Sequence, residues 1–158
     1  MANIISQVKR LADFDIIIGV DPDVSRSGVA MKYNGEITVG LMKFFELYDY
    51  LIGFKGHKVL VRIDAGWLNK PANFRKMIKD DKTGEWVPMP DYIKERIASK
   101  VGRNEQTGKL IEEMCNHLGL ECQLVKPDKS KWSPELFKQA TSIETRNQEE
   151  IDAGVLVI

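Results

Sequence analysis

Two short apolar runs, each ending on an aspartate, constrain this chain more than any other feature. Residues 15–20 read DIIIGV, a length and isoleucine content that predict a buried central strand. The run stops abruptly at Asp21-Pro22. Residues 58–63, KVLVRI, predict another strand that again ends on a carboxylate, Asp64. Between them, residues 27–33 and 36–41 are β-like and joined through Asn34-Gly35, a strong signal for a tight hairpin turn. Residues 44–54 carry apolar side chains in a near-helical stripe, which Gly53 and Gly56 weaken and end.

Beyond Asp64 the pattern loosens. Pro71, Thr83-Gly84, Pro88 and Pro90 interrupt residues 65–90, which read as a long irregular loop with a short helix near 74–78. Residues 91–117 read as helical, with a break at Gly102 or Gly108 left open, and Gly119 is placed to terminate the helix. Residues 121–125 form a fifth strand. Ser133-Pro134-Glu135 combines a capping hydroxyl, a proline at the first helical position and an acid in the first turn. Asn147, with Glu150 three residues on, resembles a capping box opening a last helix through Ile158. The order is βββαβαβα. It predicts an α/β domain with a mixed five-stranded sheet, the first three strands antiparallel, and helices on both faces. All 158 residues are read as one domain, with 1–14 an N-terminal extension and 65–90 a loop insertion.

With 43% hydrophobic and 29% charged residues the composition is that of a globular protein. No apolar run approaches the roughly 20 residues that span a bilayer, and the N-terminus lacks the pattern of a secretory signal. No membrane association is expected, and the expected location is the cytoplasm. Cys115 and Cys122 sit in no cluster of metal-ligand spacing and read as reduced packing residues. The 23 basic and 23 acidic side chains cancel, so any nucleic-acid surface must be a local patch.

The chemistry suggested by the acids depends on their joint placement. Asp21 and Asp64 follow apolar strands, and Glu149 and Asp152 lie three apart, on one face of the last helix. If the two strands are sheet neighbours and the helix packs over their ends, the four acids converge, and keeping them ionised together requires a cation. An all-oxygen ligand set suits Mg²⁺ or Mn²⁺ rather than zinc. Two such ions about 3.5–4 Å apart can activate water and stabilise a leaving oxygen in phosphodiester hydrolysis. Each acid alone has an ordinary explanation. Asp21-Pro22 is an unremarkable strand-to-turn junction, with Asp23 in solvated turn chemistry. A carboxylate at Asp64 could pair with a lysine, and Glu149 and Glu150 suit a helix N-terminus. Glu150 is assigned to the cap, whereas Asp152 lies deeper in an otherwise apolar helix.

At this point the residues resemble a known family. Ile17-Ile18-Gly19-Val20-Asp21-Pro22 with Ser27-Gly28-Val29-Ala30 is similar to the first strand and hairpin of RuvC-type Holliday junction resolvases, of the RNase H-like superfamily. The strand ending at Asp64 resembles the one bearing that family's second acid. Val101-Gly102-Arg103 with Gly108 resembles the helix that follows it. Gly119-Leu120 into Val125-Lys126-Pro127, with Lys131-Trp132, resembles the last strand and its exit, and Glu149-Glu150-Ile151-Asp152-Ala153 the paired terminal acids. The likeness runs from Ile16 to the C-terminus, with residues 65–92 unmatched. It implies an RNase H-like fold and a Mg²⁺-dependent endonuclease acting on four-way DNA junctions as a homodimer. Asp21, Asp64, Glu149 and Asp152 would be its catalytic metal ligands, holding two ions per site. Two positions depart from the family: its second acid is usually glutamate where this chain has Asp64, and the first of the final pair is often Asp or His where this chain has Glu149. Both keep an oxygen ligand and change its reach.

Lys94, Arg96, Lys100, Arg103 and Lys109 in the long helix, with Lys126, Lys129 and Lys131 near Trp132, read most simply as a solvated face, and Glu95 and Glu105 are interleaved with the first group. Phosphate contact is the functional alternative, and Lys100, Arg103, Lys126, Lys129 and Lys131 are its candidates. The resemblance favours the last three by placing their segment near the acids. Trp67, Phe74 and Trp86 could stack on unpaired bases or anchor the long loop to the core. Two rival functions fit the same residues: an RNase H-like nuclease on another RNA or DNA substrate, and a junction-binding protein without catalysis. An actin-like kinase is disfavoured, since it needs a second lobe and a glycine-rich phosphate loop.

Overall fold

A computed structural model describes residues 10–69, 77–128 and 130–158. The sheet holds five strands: β1 (Ile16–Asp21), β2 (Ser27–Tyr33), β3 (Glu36–Met42), β4 (Val59–Asp64) and, last in the chain, β7 (Glu121–Val125). They lie in the order β3-β2-β1-β4-β7. β1, β2 and β3 pair antiparallel, turning through Asn34-Gly35, both at positive φ as this tight turn requires. β4 joins β1 in parallel and β7 joins β4 in parallel. The mixed α/β sheet expected from the sequence is thus present. β1 and β4 run one residue further than the apolar runs suggest, so Asp21 and Asp64 are the last residues of their strands.

Side-chain alternation on β1 and β4 splits the core in two. Ile16, Ile18, Val20, Val59, Val61 and Ile63 face one way and pack with Leu47 and Leu51 of α1 (Phe44–Ile52) and with Ile111, Met114 and Leu118 of α2 (Asp91–Leu118). Ile17 and Leu60 face the other way, toward Ala153 and Val157 at the last helix, α4 (Gln148–Val155), with Leu11 and Phe14 packed alongside. Phe137 of α3 (Pro134–Thr141) is fully buried against Gly154 of α4. Helices therefore cover both faces, as the pattern predicts.

Several boundaries differ from the sequence reading. α2 is continuous through Gly102 and Gly108 and stops where Gly119 takes a left-handed conformation at φ +72°. No short helix covers Met77 and Ile78. They belong to β5 (Met77–Lys79), which pairs with β6 (Trp86–Pro88), while residues 74–76 lie outside the described residues. The physical reason is the turn between the strands: the Asp80 carboxylate accepts the N–H groups of Lys82 and Thr83 at 2.8 and 2.9 Å, and Gly84 donates to the Asp80 carbonyl. Those bonds return the chain on itself, which a helix could not accommodate. α1 ends at Ile52, before Phe54, and α4 ends before Ile158. At the start of α4, Asn147 caps the Glu150 N–H as expected. The Glu150 carboxylate instead accepts the Thr145 hydroxyl, which in turn accepts the Asn147 N–H. Cys115 and Cys122 form no disulfide. Among the described residues no helix is long and apolar enough to cross a membrane.

Candidate active site

The site lies at the carboxyl ends of the parallel strands, where open α/β sheets place their ligands. Val20 and Ile63 are register partners, so Asp21 and Asp64, one residue further on, leave adjacent strands side by side on the α4 face. What brings α4 to them is the absence of side chains beneath it. A Cβ on Gly28 would sit 2.0 Å from the Glu149 carbonyl oxygen, and one on Gly19 would sit 2.3 Å from that of Ala153. Only glycine lets the helix backbone rest directly on β1 and β2, and that contact carries Glu149 and Asp152 to the strand ends.

The four acids share one field. Burial raises the Asp21 carboxyl to about 8, reinforced by the charges of Asp64 and Asp152 and, more weakly, Glu149, while Lys131 opposes the rise. Burial likewise raises Asp64 to about 6, with Asp152 adding to the shift and Lys131 and the Gly66 N–H opposing it. Lys131 bonds one oxygen of Asp152, and Gln148 Nε2 donates to the other at 2.7 Å. Burial pulls the Lys131 ammonium down, yet its bond to Asp152 and the surrounding acids leave it raised. A half-buried carboxylate that keeps its proton to about pH 8 marks negative charge without enough compensation. The all-oxygen donor set fits a hard divalent cation in that role. As placed, no group of three or more Asp, Glu, His or Cys among the described residues is gathered closely enough to hold one ion; Asp152 is engaged by Lys131 and Gln148.

In front of the acids opens a cleft of about 710 Å³, lined by Asp21, Asp64, Trp67, Asn104, Glu105 and Lys131 among others. Lys126 and Lys131 also border a smaller cavity of about 230 Å³ beside Asp64 and Asp152. Lys100 and Arg103 sit elsewhere, in a groove between α2 and the loop after β1 that contains none of the four acids. Lys129 lies outside the described residues. Trp67 anchors its segment: a Cβ on Gly108 would sit 2.5 Å from its ring, so the glycine that leaves α2 unbroken provides the seat. Trp86 is exposed, and Phe74 is outside the described residues.

Asp23 is turn chemistry, as read from the sequence. Its carboxylate accepts the Ser25 N–H at 2.9 Å and hydroxyl at 2.8 Å, and these bonds outweigh burial to hold its pKa low. Asn104 was not foreseen. It accepts the Val24 N–H at 3.2 Å and donates to Asp23 at 3.4 Å, tying the loop after Asp21 to α2. No local signal could reveal a pairing across 80 residues. Glu105 lines the cleft as a further acid, bonded to Lys109 at 2.6 Å. In the sequence it read only as part of a solvated helix face.

This sheet order, with helices on both faces and acids at the ends of β1 and β4, defines an RNase H-like α/β fold. No family model matches the sequence, and no curated protein does. Among solved structures the chain is similar to Thermus thermophilus RuvC in complex with a Holliday junction substrate, at 10% identity over 90% of each chain with a TM-score of 0.52. A second Thermus thermophilus RuvC structure matches at 9% identity over 90% of this chain and 92% of that one, with a TM-score of 0.42. The fold of this chain is that of the RuvC resolvases.

Proposed function

We propose that this protein is a Mg²⁺-dependent endonuclease that hydrolyses phosphodiester bonds in branched DNA, nicking four-way junctions as a homodimer. The observation that carries the reading is the shared field of Asp21, Asp64, Glu149 and Asp152 at the carboxyl ends of β1 and β4. The likeness in fold to a RuvC solved on a Holliday junction supports the choice of substrate. The four acids would hold the ions, two per site, with Mn²⁺ able to substitute. When bound, the ions supply a polarised phosphate, an activated water and stabilisation of the leaving oxygen.

The chain's own residues bind and orient. In the metal-free protein Asp21, raised to about 8, would hold a proton at neutral pH, and as a ligand it would bind the cation as the carboxylate. Lys131, two-thirds exposed at the cleft and bonded to Asp152, is placed to exchange that carboxylate for a phosphate oxygen. Lys126 contacts the backbone nearby. Lys100 and Arg103 are carried as phosphate contacts further along the duplex, and Lys129 as a phosphate contact suggested by the sequence alone. Trp67, fixed on Gly108, forms a wall of the cleft. Two strands cut symmetrically need two sites, hence the dimer. In its support, α2 has no buried residue before Gly108 and exposes Tyr92, Ile97 and Val101.

A binding protein without catalysis is the second reading, favoured by the lack of a ready three-acid cage among the described residues. A nuclease acting on another RNA or DNA substrate would use the same acids. The test is nicking of a synthetic four-way junction, with linear duplex and RNA/DNA hybrid as controls, by wild type, Asp21→Asn and Asp64→Asn in Mg²⁺ or Mn²⁺. Symmetric junction nicks that both substitutions abolish are expected. Junction binding with no cleavage by any variant leaves the binding protein, and preferential cleavage of the hybrid redirects the substrate.

A further inference from the structure

Arg62 stands in the middle of β4, between Gly19 of β1 and Gln123 of β7 in register. Its side chain faces α4, as those of Leu60 and Asp64 do. Nothing in the sequence singles it out, and the four acids do not use it: the cation acting on Asp21 and Asp64 is Lys131. The guanidinium is directed at the other end of the helix. Nη1 donates to the carbonyl of Leu156, the C-terminal cap of α4, at 2.5 Å. Carbonyls in the last turn of a helix have no partner within it and carry the negative end of its dipole, so a cation is well matched there.

The environment argues that this bond is why an arginine is present. Burial disfavours the charge of Arg62. Its Nε is buried without a hydrogen-bond partner among the described residues, and so is Oε1 of its register neighbour Gln123. Methionine, of similar length, would fill the same space and leave no unpaired donor. Packing alone therefore does not call for a guanidinium; the bond to α4 does. Gly19, on the same rung of the sheet, admits the helix backbone, and Arg62 holds the helix end. Asp152 lies one turn before Leu156 and Glu149 about one turn before that, so a rigid helix transmits any slip at its end to both acids.

We propose that Arg62 is a positioning residue that clamps the C-terminal end of α4 and thereby fixes Glu149 and Asp152 over the ends of β1 and β4. The consequence for metal binding rests on the reading of those acids as ligands. The experiment compares full-length wild type, Arg62→Met and Arg62→Lys by amide hydrogen exchange, by Mn²⁺ titration followed by electron paramagnetic resonance, and by junction nicking. In Arg62→Met, exchange should rise in α4 while β1 and β4 keep wild-type protection. Mn²⁺ affinity and kcat should each fall about tenfold or more with junction affinity unchanged. Arg62→Lys, which retains a cationic donor, should recover part of both.

Wild-type exchange in α4 with wild-type Mn²⁺ affinity in Arg62→Met would overturn the clamp. So would loss of protection throughout the sheet in both variants, which would make Arg62 a general stability residue. If α4 loosens in Arg62→Met although the wild type neither binds Mn²⁺ nor cuts DNA, the clamp stands and the metal-dependent reading falls.

Discussion

Replacing Asp21 by asparagine should stabilise the metal-free protein at alkaline pH. The native carboxyl is raised from 3.8 to about 8, first by burial and then by Asp64 and Asp152. Folding therefore favours the protonated form; the stability this gives is complete below about pH 4 and lost as pH rises through about 8. Above that, wild type carries an ionised carboxylate among other acids, whereas asparagine stays neutral with nearly the same shape. A shift of roughly four units at ~1.36 kcal/mol each sets a ceiling of ~5–6 kcal/mol. Water reaches the partly exposed group, and neutralising it also relieves Asp64 and Asp152, so a gain of ~1–3 kcal/mol is expected. For a domain of this size that is ~2–4 °C in Tm per kcal/mol. Urea and thermal unfolding from pH 4 to 9 in chelator should show the gap opening with pH, and saturating Mg²⁺ should reverse the order by stabilising wild type alone. Equal midpoints at pH 9, or a gap that narrows as pH rises, would refute the electrostatic account of the site.

Three further outcomes test the geometry. Gly28→Ala sets a Cβ against the Glu149 backbone and should destabilise by about 1–3 kcal/mol while weakening Mn²⁺ binding, whereas Gly40→Ala, with nothing within 4 Å of its added carbon, should spare metal binding; calorimetry on both variants checks this. Because Asp21 and Asp64 titrate near 8 and 6, Mg²⁺ binding should strengthen from pH 6 to 8 and release protons at pH 7. Titrations in buffers of differing ionisation enthalpy measure that release, which at pH 7 comes mainly from Asp21, and zero release would mean that Asp21 is not a ligand. Gly108→Ala should unseat Trp67 and red-shift tryptophan emission. In a Trp67→Ala background the same change should be nearly neutral in stability, a non-additivity that a double-mutant cycle reads directly.

The frame of the fold was legible because its signals are local. An apolar run ending on an acid, Asn-Gly between alternating segments, and Ser-Pro-Glu at a helix start are each decided within a few residues, and the structure places β1, β2, β7 and the start of α3 within a residue of those readings. The β5–β6 hairpin was missed because three-residue strands leave no period to read; the Asp80 turn that closes them is visible only through its hydrogen bonds. Gly19 and Gly28 read as part of a strand-hairpin pattern, while the reason they lack side chains is a helix more than 100 residues later in the chain.

The same distinction runs through the site. Asp21 and Asp64 sit on adjacent strands whose pairing a one-residue slip would turn inside out, so their relative position is fixed by the whole sheet. Glu149 and Asp152 ride on a helix of eight residues that is held by two glycine seats, the brace of Phe137 and the bond from Arg62. An acid on the strands can therefore be altered only in reach, whereas the acids on α4 can also be displaced together. The two departures from the resolvase pattern lie one on each side of this divide and have opposite sign: Asp64 is shorter by one methylene than a glutamate, and Glu149 is longer by one than an aspartate. A ligand pocket drawn toward β4 by the shorter Asp64 would need the longer arm from α4, and that arm would be useful only if the helix beneath it does not slide. With these acids as the ligands, the demand on α4 would be greater here than in a site with a glutamate on the strand, and it would fall on Gly28 and Arg62.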